Sequence, residues 1–226
     1  MSTSLTEDME TSSGPIIGAQ YCLPNQVDLA FTRKVAGVKH GSLAITDTNG
    51  DILFWIKISS NWTIKKKLID ANSRQPLISM KEKSWSLHEE WQVFRGDSTK
   101  KKDLLFRVRR SKVFQMHTEL EVFLAANSRE FAKCDFKIKG KYSKRSTMIY
   151  KGDSSTVLAQ MSKEHKVEKV ELDKNAFGVR INPNTDMAFI VALFIIVQQL
   201  SEQETAIRNE AIGSVIGEVV AAAITS

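Results

Sequence analysis

Cysteine is scarce in this chain: Cys22 and Cys134 are the only two in 226 residues. Two thiols cannot build a disulfide framework. The opening MSTSLTEDMETSSG has neither the basic n-region nor the apolar h-region of a secretory signal. A reducing, intracellular setting is therefore expected, in the cytoplasm, at a membrane surface or in the nucleus. In that setting the sequon match Asn61-Trp-Thr63 carries no weight. Histidine is almost as scarce. His40, His88, His117 and His165 are scattered and lack metal-ligand spacing with either cysteine, so structural roles are expected and no metal or cofactor is implied. There is no glycine-rich phosphate loop and no G-x-S-x-G elbow. His88-Glu-Glu-Trp91 has no second carboxylate or nucleophile motif beside it. These absences favour a non-enzymatic protein.

Acidic residues thin out in the middle of the chain. The net charge is +6, although residues 1–14 carry three acids and no base, and residues 201–226 carry four acids against Arg208. The excess of base sits between them. Lys100 to Lys112 holds seven basic residues against Asp103, and Lys133 to Arg145 holds six against Asp135. Such a surface favours anionic partners: phosphoinositide headgroups, acidic proteins or nucleic acid. No zinc-finger, homeodomain or RNP-like motif adds base readout, and Lys65-Lys-Lys67 is too short for a nuclear signal, which ranks nucleic acid below the other two.

What the sequence does have is recurrent turn chemistry. Asp47-Thr-Asn-Gly50, Asp70-Ala-Asn-Ser73, Arg95-Gly-Asp-Ser98, Asn127-Ser128 and Lys151-Gly-Asp-Ser154 separate short β-rich runs, the pattern of successive antiparallel hairpins. Inside the runs, residues alternate. Cys134, Phe136, Ile138 and Tyr142 take one face against Lys133, Asp135, Lys137, Lys139 and Lys141. Leu104, Phe106 and Val108 alternate with Arg107 and Arg109, while Ile52, Phe54, Ile56 and Ile58 share a face. Sheets with one wet face fit this pattern, and closing them removes exposed edges while leaving an interior to be filled. The four tryptophans, Trp55, Trp62, Trp85 and Trp91, are expected in the core or packed between strands.

The filling is at hand in Met187-Ala-Phe-Ile-Val-Ala-Leu-Phe-Ile-Ile-Val197, eleven apolar residues in succession. Thr185 and Asp186 supply a helix-start signal, and Gln198 and Gln199 end the run. A helix of that length rises roughly 16 Å, short of the roughly 30 Å bilayer core. A helix apolar on every side belongs inside a protein core, although its β-branched residues leave a buried strand open. Residues 1–20 are expected to be a disordered tail and 21–200 the domain, with a central helix near 186–200. Residues 201–226 are expected to be an extension, helical or mobile. Its Gly213-xxx-Gly217 resembles a membrane pairing motif, but the acid-interrupted run is a weak span. No transmembrane span is expected, and a monomer is.

In order and spacing, Ile45-Thr-Asp-Thr-Asn-Gly50, Leu87-His-Glu-Glu-Trp-Gln-Val-Phe-Arg-Gly96, Asp103-Leu-Leu, Thr118-Glu-Leu-Glu-Val-Phe-Leu124, Cys134-Asp-Phe136, Lys139-Gly140, Ala159-Gln-Met161 and Pro183-Asn184-x-Asp186-x-Ala188-Phe-Ile190 resemble the LURP-one-related proteins. These are mainly plant proteins named after a pathogen-responsive member, and the likeness runs from about Tyr21 to Leu200. The resemblance implies a mainly β fold like the tubby C-terminal domain and phospholipid scramblases: a closed antiparallel β-barrel of about twelve strands around a buried hydrophobic C-terminal α-helix. Tubby-like domains bind phosphoinositides and are described as membrane-tethered transcription regulators. No activity comes with the LURP-one-related branch itself, and the scramblase calcium segment has no counterpart.

The residues expected to meet an anionic headgroup are Lys137, Lys139 and Lys141 from one strand face and Arg107 and Arg109 from another. The plain alternative is that these lysines keep a solvated sheet soluble. The competing function is a soluble protein-interaction factor, or a tubby-like regulator with nucleic-acid affinity.

Overall fold

A computed structural model describes residues 14–33, 42–59, 65–83, 90–111, 119–127, 133–142, 145–162 and 176–224. The strands are β1 (Val27–Thr32), β2 (Ala44–Thr46), β3 (Ile52–Ser59), β4 (Lys65–Asp70), β5 (Pro76–Glu82) and β6 (Glu90–Arg95), followed by β7 (Leu104–Arg110), β8 (Glu119–Leu124), β9 (Phe136–Lys139), β10 (Met148–Lys151), β11 (Val157–Ser162) and β12 (Phe177–Ile181). One helix, α1 (Met187–Ile224), follows them. Each strand pairs antiparallel with its neighbours in the sequence, and β1 pairs with β12, with Val27 opposite Ile181 and Phe31 opposite Phe177, to close the barrel. Closure leaves no open sheet edge.

The alternation read from the sequence sets which side chains point inward. Phe54 and Ile56, Phe106 and Val108, and Phe136 and Ile138 are buried. Ile58 departs from this pattern. It has the inward parity but is 60% exposed, because it sits at the strand's last turn, where the barrel wall ends. Of the tryptophans, Trp91 is in the core and Trp55 is half-buried on β3, whereas Trp62 and Trp85 lie outside the described residues.

The interior is filled by α1. Every residue from Ala188 to Ile196 is at most 1% exposed. Phe189 meets Phe106 edge-on with ring centroids 5.0 Å apart and Phe136 at 4.9 Å, and Phe194 meets Phe31 at 6.2 Å. Each such side chain contributes about 1.5–3 kcal/mol by leaving water. Asp186 caps the helix, its Oδ1 accepting the Phe189 amide at 3.1 Å. The buried strand left open by the sequence is thereby replaced by a helix.

Two boundaries move. Gln198 and Gln199 end the apolar run but not the helix, which continues to Ile224, because glutamine is a good helix former and nothing after it breaks the backbone. By length and composition Met187–Glu210 could cross a membrane, but 72% of its apolar window is buried within the barrel. The domain also begins before residue 21, since Ile17 is buried in the core and the amides of Ile17 and Gly18 donate to Asp186.

Candidate anion-binding surface

Arg107 and Arg109 stand on the outer face of β7, and Lys137 and Lys139 on the outer face of β9. They do share one wet surface, but β8 lies between them. In the register Arg109 faces Glu121, which faces Lys137, and Glu119 faces Lys139. The row therefore alternates in sign. Lys137 donates to Asp153 Oδ1 at 2.5 Å and lies 3.5 Å from Glu119, partners that hold its ammonium above the ordinary lysine value, while Lys137 holds Asp153 below the usual carboxylate range. Arg109 lies over the Phe123 ring at 4.1 Å with Glu121 at 3.9 Å. Arg107 donates to the Asn127 carbonyl at 3.2 Å, and its Nε is buried without a partner.

Lys139 is exposed, 5.8 Å from the Tyr150 ring centre. Lys141 is not on the strand. β9 ends at Lys139, and Gly140 turns the chain with φ +115, a conformation that only glycine adopts freely, so the expected five-residue alternation is cut short. A Cβ at Gly140 would lie 2.2 Å from the Ser146 carbonyl oxygen.

A second basic surface, missed in the sequence, covers β3, β4 and β5. Lys57 stands opposite Lys67, and Lys65 stands opposite Lys81. Lys57 is exposed; Lys81 lies 5.3 Å from the Phe94 ring centre. Asp97 accepts from Lys67 at 2.5 Å, whereas among the described residues neither Lys57 nor Lys81 has a carboxylate partner. The available signal was the alternate spacing of Lys65 and Lys67 on a strand, which places both on one face.

With the geometry in hand, three comparisons bear on descent. A LURP-one-related profile matches residues 27–198. Protein LURP-one-related 15 of Arabidopsis thaliana is 38% identical over 195 residues, 86% of this chain and 89% of that protein. The chain belongs to the LURP-one-related family. Protein LURP1 from the same plant is 37% identical, covering 83% of this chain and 90% of its own. An Arabidopsis thaliana protein solved by X-ray crystallography has 34% identity and a TM-score of 0.63, covering 83% of this chain and 98% of that one.

In this LURP-one-related barrel the interior is occupied by α1, so chemistry with a partner belongs to the outer strand faces and the two ends. Burial raises the thiols of Cys22 and Cys134, which disfavours the reactive thiolate. Among the described residues no cluster of three histidine, cysteine, aspartate or glutamate side chains could hold a metal. His40, His88, His117 and His165, with the Asn61 sequon, lie outside the described residues.

Proposed function

We propose that this LURP-one-related protein is a non-enzymatic binding module that docks on anionic membrane surfaces, those bearing phosphoinositides included, through the lysines on the outer faces of β3, β4 and β5. The observation that carries the reading is the register that sets lysine opposite lysine, Lys57 with Lys67 and Lys65 with Lys81; Lys67 is paired with Asp97, while Lys57 and Lys81 have no carboxylate partner among the described residues. Like charges directly opposite one another destabilise a sheet, and an anion laid across them offsets that cost. The alternating row on β7, β8 and β9 offers less, because its acids already neutralise Arg109 and Lys137.

The test is sedimentation of the full chain with neutral liposomes and with liposomes containing phosphatidylinositol bisphosphate, at two salt concentrations. Two variants of equal charge change are compared: Lys57→Glu/Lys67→Glu/Lys81→Glu and Lys137→Glu/Lys139→Glu/Lys141→Glu. Binding to the anionic vesicles is expected to weaken with salt and to vanish in the first variant, whereas the second variant should only reduce it. Equal loss in both would make attraction a matter of net charge alone. No binding to either liposome would sink the reading and direct the search to protein partners or nucleic acid.

A further inference from the structure

The barrel and its helix differ in length. Strands of about six residues rise roughly 20 Å, which matches the part of α1 that is buried, from Met187 to Leu200. The helix continues to Ile224, roughly 36 Å farther at 1.5 Å per residue. As α1 passes the rim its polar residues tie it to the wall. Glu202 pairs with Arg33 at 3.2 Å, Gln203 donates to Glu82 at 3.2 Å, and Glu204 pairs with Arg110 at 2.8 Å. Beyond them Ile207 is 64% and Ile212 51% exposed. From Ala211 to Ile224 the sequence has one charged residue, Glu218.

Helix and lysines meet at one end. The residues that α1 touches on leaving the barrel, Arg33, Glu82 and Arg110, mark the same rim that carries Lys81 and Lys83 on β5 and beyond it, and Lys139 and Lys141 at the end of β9. The acids of the same rim are engaged elsewhere: Glu82, Glu202 and Glu204 in the contacts just described, Glu90 with Gln92, and Glu119, opposite Lys139 in the register, with Lys137; none of these four lysines has a carboxylate ion pair among the described residues.

We propose that the outer part of α1, from Ile207 onward, inserts into the headgroup and upper acyl region of an anionic bilayer, with the lysine-bearing rim of the barrel facing the lipid. This rests on the anionic-membrane reading above and names the element and orientation that it uses. Length sets the mode: Ala211 to Ile224 rises roughly 21 Å as a helix, too short to span the roughly 30 Å hydrocarbon core but long enough to enter one leaflet. Charge sets the occupant. Two copies paired in parallel through this segment would bring two lysine rims side by side, a repulsion that an anionic surface turns into attraction.

The probes are phosphatidylcholine vesicles with and without phosphatidylserine. Full-length parent is compared with Ile207→Glu/Ile212→Glu, which alters exposed positions outside the barrel and so leaves its melting temperature unchanged. The parent is expected to keep a salt-resistant fraction bound to the anionic vesicles, with slower hydrogen exchange over residues 206–224 when bound. The variant should bind at least about tenfold more weakly and lose its salt-resistant fraction. If the variant matches the parent in affinity and salt dependence, and exchange does not slow, insertion is wrong while the membrane reading stands. If the parent binds neither vesicle, both fail. A lipid-free dimer in sedimentation that the variant abolishes, without vesicle protection of the segment, would assign the helix to self-association instead.

Discussion

Asp186 and Ile17 join the two ends of the domain: Oδ2 of the aspartate accepts the Ile17 amide at 2.7 Å, across 169 positions of chain. The same oxygen takes Gly18 N–H at 3.2 Å, and Oδ1 caps α1 at Phe189. One buried carboxylate thus fixes both the entry of the chain into the barrel and the start of the helix that fills it.

Asp186→Ala should therefore cost more than an ordinary helix cap. A lost cap is worth about 1 kcal/mol, and leaving the two amides at Ile17 and Gly18 without their charged acceptor adds about 1.5–3 kcal/mol. Urea unfolding would check this. A loss no larger than a cap alone would mean that the Ile17 contact adds nothing.

Phe194 is fully buried between Phe31 and Phe177. Phe194→Ala should destabilise by about 3–5 kcal/mol. Phe194→Asp, which buries an unpaired charge, should abolish the cooperative thermal transition. An unchanged melting temperature for the aspartate variant would contradict the central position of α1.

Lys66 points into the mouth of the barrel and is 9% exposed. Burial lowers its ammonium below the ordinary lysine value, against the opposing pull of Glu202. Between the lowered value and the ordinary one, the unfolded chain binds more protons than the folded chain, so this group's contribution to stability rises with pH. Lys66→Met should be about 1 kcal/mol more stable than the parent at neutral pH, with the gap closing as pH climbs toward the lysine range. Unfolding free energies in a pH series would show it; a constant gap would refute the desolvation argument.

Gly140→Ala combines a left-handed φ with a Cβ that would collide with the Ser146 carbonyl oxygen. A loss of about 1–3 kcal/mol is expected. Because Lys141 follows this turn, the variant should also shift the Lys141 backbone resonance. Parental stability in the alanine variant would show that the loop from 140 to 146 relaxes without strain.

The strands, four of the five turn clusters and the filled interior were legible because they rest on local patterns: alternation, Asn-Gly and Asp-Ser turns, and an unbroken apolar run; the Asn127-Ser128 cluster runs outside the described residues. The end of the helix was not. Loss of hydrophobicity at Gln198 is a statement about burial, and helical backbone tolerates glutamine as readily as leucine. At the candidate site, alternation gives the faces of the basic strands but not their neighbours, for a topological reason. In a meander β8 must separate β7 from β9, and Glu119 and Glu121, alternate residues in Glu119-Leu-Glu-Val, are the acids that interleave the basic strands. The period of two does not carry through Gly140, where the chain turns, so Lys141 leaves the strand that alternation alone gives it.

The position of α1 after all twelve strands has a consequence for biosynthesis. The ribosome delivers every wall of the barrel before the residues that occupy its centre. Until Met187 to Leu200 emerge, inward faces such as Phe31, Phe54 and Phe106 have no permanent cover, and the β1–β12 seam cannot form before β12 is made. Such late, long-range closure folds slowly and leaves apolar surface exposed on the nascent chain. The demand on chaperones should therefore be greatest for ribosome-bound chains stalled between β11 and α1, and should drop once α1 clears the exit tunnel.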